Sequence, residues 1–313
     1  MKPAVDGFLN LIKPPGMTSF DMVRWVRRRT AQRRVGHAGT LDPAASGVLP
    51  LCLGQATRLV EFVIEARKSY CADIRFGTAT NTYDATGEVT RTGDASQLDL
   101  GRIRELLRSF TGSFEQYPPM FSAIRVGGTR LYEYARRGEE VERQPRRVEV
   151  YRMRLLDWQP PLLSLQIDCS RGTYIRSLAH DLGEAAGCAA HLAHLVRLAA
   201  GPFQFGDATC LTALEDAIEG GYWERLLHPM DCVVESWPAL VVNSHQERWL
   251  VNGQPLPVTP RVQDRLFRLG MAPGNCRAYS EQGELVALLK HTRGLWQPFK
   301  VFHPRYVSMP SSE

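Results

Sequence analysis

Several things are missing from this 313-residue sequence, and each absence narrows the reading. The seven cysteines (52, 71, 169, 188, 210, 232 and 276) are odd in number, scattered, and form no C-x-x-C pair. Neither a zinc ribbon nor a disulfide framework is supported, and reduced, mostly buried thiols of a cytoplasmic protein are expected. No apolar run approaches the ~18 residues of a membrane span. The opening MKPAVDGFLNLIKPPG is broken by Asp6, Asn10 and Pro14-Pro15, so no secretory segment is expected either. Walker A and G-x-G-x-x-G patterns are absent, which argues against a nucleotide cofactor. His191 and His194 stand three apart, but no H-E-x-x-H or neighbouring acid and cysteine completes a ligand set, so no metal is expected. Internal repeats and low-complexity stretches are also lacking.

What remains is an ordinary globular composition, with 44% hydrophobic and 23% charged residues, long enough for two domains. Lysine is the scarce cation: five lysines stand against 33 arginines, for a net charge of +5. Arg-rich usage alone accounts for that bias, so its distribution matters more than its sum. Between Arg24 and Arg34 lie six arginines (24, 27, 28, 29, 33 and 34) and no acid. A solvated helix end that suits the helix dipole is one reading; a surface for RNA phosphate is the other.

Along the chain, residues 7–13 read as a strand closed by the Pro14-Pro15-Gly16 turn. Thr18 or Ser19 then caps a helix whose apolar face is Phe20, Val23 and Val26. Residues 35–54 form a Gly- and Pro-rich loop running into a buried strand at 47–53, and a helix follows over 56–66. Residues 69–76 alternate as a strand. Ile103, Leu106, Leu107 and Phe110 mark an amphipathic helix over 98–110. A short helix covers 131–137, and strands over 148–158 and 162–169 flank Pro160-Pro161. A helix opening at Gly172-Thr173 stops near Gly187. Helical and strand patterns mix without a βαβ rhythm, which predicts an α+β fold with a mixed, largely antiparallel sheet. A boundary near 228–238 leads to a small β-rich module with strands at 239–242, 277–279 and 285–289.

Two stretches carry candidate chemistry. In Gly36-His37-Ala38-Gly39-Thr40-Leu41-Asp42-Pro43, the glycines allow close backbone approach and Pro43 holds Asp42 extended. A carboxylate between a glycine-rich loop and an apolar strand is partly desolvated, which raises its pKa unless a cation offsets the cost. In Ser170-Arg171-Gly172-Thr173-Tyr174-Ile175-Arg176, Arg176 falls in the first turn of its helix, against the macrodipole. An internal anion would explain that placement, and Asp42 is the candidate.

The run GHAGTLDPAASGVLPLCLGQATRLVEF (36–62) resembles the catalytic motif of the bacterial TruB-type tRNA pseudouridine synthases. KSYCADIRFG (68–77), YPPMFSAIRVGGTRLYEYARRG (117–138) and CSRGTYIRSLAHDLG (169–183) resemble further blocks of that family in the same order. The likeness covers about Gly7 to Phe203. It implies a cofactor-free isomerisation of uridine 55 in the T-arm of tRNA, with the uracil cut at N1–C1′, turned and rejoined through C5. Asp42 then matches the catalytic aspartate, Arg176 the active-site arginine, and Tyr70 the tyrosine that stacks on the base. Asp84 matches an aspartate close to the site, Leu195 an apolar residue against the base, and His37 a residue that contacts the loop where the base has left it.

The resemblance further implies a tRNA T-arm stem-loop as partner, with the target base flipped out of its loop. Phosphate contacts are expected from Arg24, Arg28, Arg29, Arg33 and Arg34. A thumb insertion at about 117–147 adds Arg130, Tyr132, Arg136 and Arg137, a mixture suited to single-stranded RNA. The expected domains are a catalytic one over 1–232 and a PUA-like β-barrel over 233–313, in a monomer. A guide-RNA-dependent relative of the dyskerin type and a non-catalytic RNA-binding or tRNA-folding module are the alternatives.

Overall fold

Burial on both faces explains why GFLNLIK and SGVLPLCL read as continuous apolar runs. They form β1 (Gly7–Lys13) and β3 (Ser46–Leu53), paired antiparallel from Gly7↔Leu53 to Lys13↔Gly47, and almost every residue of both is buried. Between them lies α1 (Ser19–Thr30), started by a capping box in which Thr18 and Asp21 bond each other's backbone N–H. Its buried stripe is Ser19, Met22, Val23, Val26 and Thr30. Phe20, expected on that stripe, is instead 56% exposed, because Met22 takes the inward position.

The computed structural model describes residues 4–258 and 274–303, and the chain divides into two compact units, Met1–His228 and Pro229–Glu313. In the first unit, β2 (Val35–His37) precedes β3, and a 3-10 turn over Gly54–Leu59 leads into α2 (Val60–Glu65). β4 (Lys68–Phe76), the small hairpin β5 (Thr78–Thr80) and β6 (Val89–Thr92), α3 (Leu100–Ser109) and β7 (Gly112–Gln116) follow. The 117–147 insertion carries β8 (Arg125–Val126), β9 (Thr129–Arg130) and α4 (Leu131–Arg136). Then come β10 (Arg146–Gln159), β11 (Leu162–Cys169), α5 (Ile175–Ala186), β12 (Ala190–Ala200), β13 (Phe203–Gln204), α6 (Leu211–Glu219) and β14 (Leu227–His228).

The large sheet runs β14-β1-β3-β12-β4-β11-β10-β7, with β2 on β3 and β13 on β12. All its pairings are antiparallel except β3 with β12, so the sheet is mixed. That parallel contact is short, Val196↔Ser46 and Arg197↔Gly47. A Cβ on Gly47 (φ +104°) would lie 2.3 Å from the Arg197 carbonyl oxygen, so only glycine lets the strands meet there. Two apolar cores meet at this point. One joins α3 and α5 to β4, β10 and β11; the other joins α1 and α6 to β1 and β3. Tyr70 and Leu195 pack against both.

The second unit is a curled half-barrel in strand order β15 (Ala239–Val241), β17 (Asn275–Tyr279), β18 (Leu285–Thr292), β19 (Leu295–Val301) and β16 (Leu256–Pro257). Its core, with Val242, Leu289 and Trp296, also takes Leu250 from α7 (Ser244–Val251). Parts of the β-rich module expected over 233–313, residues 259–273 and 304–313, lie outside the described residues.

The fold is α+β, as the mixed periodicities predict. The pattern misses β12, the strand that joins the two halves of the sheet, along with β7, the β5–β6 hairpin, α6 and α7. AHLAHLVRLAA is rich in good helix formers and does not alternate cleanly; neighbours on both edges impose the strand.

Candidate active site

Asp42 sits on a loop whose backbone is bonded from several sides. Ser19 Oγ accepts from Leu41 N (2.9 Å) and donates to Leu41 O (3.2 Å), tying the loop to the start of α1. Pro43 O accepts from Gly16 N (2.8 Å) and from Lys13 Nζ (3.1 Å). The Arg197 guanidinium donates to Gly39 O (3.1 Å), Thr40 O (3.3 Å) and Val48 O (2.7 Å). With the main chain held, the Asp42 carboxylate is the group the loop presents.

Arg176, in the first turn of α5, reaches that carboxylate. Its Nε lies 2.8 Å from Asp42 Oδ2, but the N–H is not aimed at the oxygen; the directed hydrogen bond is Nη2 to Oδ1, at 3.3 Å. The approach is therefore mainly electrostatic. Two further N–H groups go to Phe121 O (3.0 Å) and Thr82 O (3.1 Å), and Asp84 Oδ2 stands 3.7 Å from Nη1. The sequence thus pairs the right two residues, and the guanidinium also gathers the 82–84 turn and the root of the insertion.

Burial pushes the Asp42 carboxyl above the usual carboxylate range, and nearby Asp84 adds to the rise; Arg176 and Lys13 hold it down. Lys13 is fully buried, and burial lowers its ammonium to about 8 even though its Nζ donates to Pro14 O, Met17 O and Pro43 O. Burial also raises the Tyr70 hydroxyl to about 12, with Arg197 beside it working against the rise. Tyr70 faces Arg197, and Leu195 faces Ala72, across the β4–β12 ladder. Both therefore rise at the junction of the two cores, near the Asp42 loop.

Asp84 is buried, and its Oδ1 accepts from Thr82 Oγ1 (2.8 Å), Thr86 N (3.0 Å) and Thr86 Oγ1 (2.5 Å). His37 lies on β2, its Nδ1 buried without a hydrogen-bond partner among the described residues. Burial and then Arg197 hold its imidazole below the usual value. His191 Nδ1 is spent on Thr78 O at 2.7 Å, while His194 is exposed on the same strand.

The arginine cluster is less one-sided in three dimensions than in sequence. Arg24 pairs with Asp21 in the preceding turn, and Arg29 pairs with Glu215 of α6. Arg27 donates to Arg33 O (2.9 Å), which closes the helix end. Arg28, Arg33 and Arg34 are exposed. On the insertion, Arg130 and Arg136 flank the Tyr132 ring at 5.8 and 5.3 Å from its centre. Arg137 lies over Tyr134 (4.9 Å) and pairs with Glu139.

Sequence reading misses Lys13, Ser19 and Arg197. An arginine inside the apolar run LVRLAAG is the one signal for Arg197, and it has no weight until that run is known to be a strand beside the loop. Lys13 and Ser19 carry no signal beyond standing next to Pro14-Pro15 and at a helix start.

Residues 27–175 match the N-terminal domain of the TruB family pseudouridylate synthases, and residues 176–235 match the tRNA pseudouridylate synthase B C-terminal domain. The tRNA pseudouridine synthase B of Symbiobacterium thermophilum is 53% identical over 213 residues, 67% of this chain and 71% of that protein. The protein of that name from Dehalococcoides mccartyi (strain 195) is 41% identical over 299 residues, 95% and 97% of the two chains. Among solved structures, one in a Cbf5-Nop10-Gar1 complex superposes with a TM-score of 0.71 at 28% identity, covering 96% of this chain and 85% of that one. With both family domains matched, one after the other, by the segment that carries Asp42 and Arg176, this chain belongs to the TruB family of pseudouridylate synthases.

Proposed function

We propose that this protein isomerises uridine 55 in the T-loop of tRNA to pseudouridine, with Asp42 as its catalytic residue and without a cofactor. The N1–C1′ bond breaks, the uracil turns while bound, and C5 joins C1′ as the C5 hydrogen leaves and N1 regains a proton. Atoms balance without a co-reactant, so the protein must supply an ionised carboxylate and exclude water from the sugar intermediate. Arg176 keeps Asp42 ionised and aimed, with Asp84 bracing the guanidinium from behind. Tyr70 stacks on the flipped base, Leu195 closes its other side, and His37 occupies the gap in the T-loop. Arg24, Arg28, Arg29, Arg33 and Arg34 meet phosphate, and the insertion with Arg130, Tyr132, Arg136 and Arg137 closes over the stem-loop. The protein acts as a cytoplasmic monomer, with residues 1–232 as its catalytic domain and 233–313 as a PUA-like domain.

The observation that carries this reading is the Asp42–Arg176 pair beside Tyr70 and Leu195, where the two cores meet. The test is a T-arm stem-loop incubated with the protein alone, scored for pseudouridine. The parent converts it without a guide RNA, and Asp42→Asn binds within several-fold but makes no product. Substantial turnover by Asp42→Asn refutes the assignment. Parent turnover only with an added guide RNA favours a dyskerin-type enzyme, and binding with no turnover under either condition favours a non-catalytic RNA-binding module.

A further inference from the structure

Two rings lie face to face on the Arg176 side of the site. Tyr83 and His180 stack with centroids 4.0 Å apart and planes 9° apart. Tyr83 has φ +63°, the left-handed region that a bulky side chain normally avoids. Such a conformation persists only where the surroundings over-determine it, and such residues gather at functional sites. Here Tyr83 N donates to Thr80 O (3.2 Å), Tyr83 O accepts from Leu192 N (3.0 Å), and the ring is seated on His180.

The residues on either side of Tyr83 both serve Arg176: Thr82 through its carbonyl at 3.1 Å, Asp84 through its carboxylate at 3.7 Å. His180 follows Arg176 by four residues on α5, one turn along the same face. Its Nδ1 is buried without a hydrogen-bond partner among the described residues, and burial holds the imidazole below its usual value. The ring therefore works as a neutral flat surface. The 82–84 turn is thus docked on α5 at two points, by the guanidinium of Arg176 and by the ring of His180.

We propose that the Tyr83–His180 stack is a positioning contact for the reaction, fixing the 82–84 turn so that Thr82 O and Asp84 hold the Arg176 guanidinium against Asp42. This rests on the reading of Asp42 as the catalytic residue and Arg176 as its partner. Neither ring is a catalytic residue, since both act through Arg176.

Glycine and phenylalanine at position 83 separate this role from a plain turn. Tyr83→Gly removes the ring and relieves the backbone, so a residue that merely endures a strained turn loses nothing by it. The proposal expects folded Tyr83→Gly to lose about tenfold in single-turnover rate on a T-arm stem-loop, with Kd within twofold of the parent. Tyr83→Phe keeps the ring and stays within twofold in both. His180→Leu removes the stack from the helix side and loses rate in the same way, which covers the case of a Tyr83→Gly that fails to fold. Parent-like rate in either folded ring-deleted variant, or a loss confined to Kd, overturns the proposal. Asp42→Asn measured alongside keeps the two readings apart: turnover there removes the assigned site itself, while an inactive Asp42→Asn beside a fully active Tyr83→Gly removes only the role of the stack.

Discussion

Arg176 and Asp42 are unequal partners: the Arg176 side chain is 5% exposed and the Asp42 side chain 39%, although their closest charged atoms are 2.8 Å apart. The cation is sealed behind the site by Thr82 O, Phe121 O and Asp84; the Asp42 side chain is crowded enough for burial to raise its pKa, yet keeps an open side that a substrate can reach. A buried cation held by carbonyls has a fixed place from which to favour the charged form of the carboxylate beside it.

The pH profile tests that division of labour. If Asp42 acts as proposed, it does so as the carboxylate, and burial raises its pKa, so rate is lost as pH falls through the raised value. Arg176→Ala removes a cation that opposes the rise, so the acid limb moves to higher pH and the rate falls by ~10²-fold or more. Arg176→Lys keeps the charge but loses the fork, giving a smaller shift and an intermediate rate. Single-turnover rates across pH read both effects. Superimposable limbs for parent and Arg176→Ala count against the charge contact.

Arg197 carries the second expectation. Its guanidinium is almost wholly buried and donates to three carbonyls that bracket the Asp42 loop. Arg197→Met leaves those acceptors unpaired and destabilises the first unit by about 3–5 kcal/mol in urea unfolding. Arg197→Lys recovers only part, because a point charge cannot reach Val48 O, Thr40 O and Gly39 O together. A variant within about 1 kcal/mol of the parent shows that the loop is held elsewhere.

The third expectation concerns RNA affinity. Arg29 is engaged with Glu215, whereas Arg28 is exposed one residue away. Arg28→Gln weakens stem-loop binding and lowers the slope of log K against log salt by about 0.7–0.9, one phosphate contact. Glu215→Gln releases Arg29 and tightens binding a few-fold at low salt. Unchanged slopes and affinities for both variants assign this helix end to solvent.

Local chemistry makes much of the molecule legible from residue order. Thr18 or Ser19 announces the start of α1, which the structure caps with Thr18, the 103–110 periodicity gives α3, and the runs at 162–169 and 69–76 give two strands that the structure lays side by side. The odd placement of Arg176 in a first helical turn points to an internal anion, and Asp42 before Pro43 is the carboxylate that meets it. These signals are visible because cap, period and charge are properties of a few consecutive residues.

The rest depends on partners far apart in the chain. Arg197 acquires its role only when β12 is laid between β3 and β4, a placement its own helix-favouring residues do not announce. Glu215 neutralises Arg29 from 186 residues away, so a window that holds six arginines and no acid overstates the unbalanced charge. Phe20 turns outward because the width of the buried stripe is set by what α1 packs against. Tyr83 meets His180 only once the turn lies on α5. Amino-acid order by itself determined which groups carry charge and where helices and strands can begin; tertiary structure decided which of those charges are sealed from water, because burial and pairing belong to the neighbours that folding brings together.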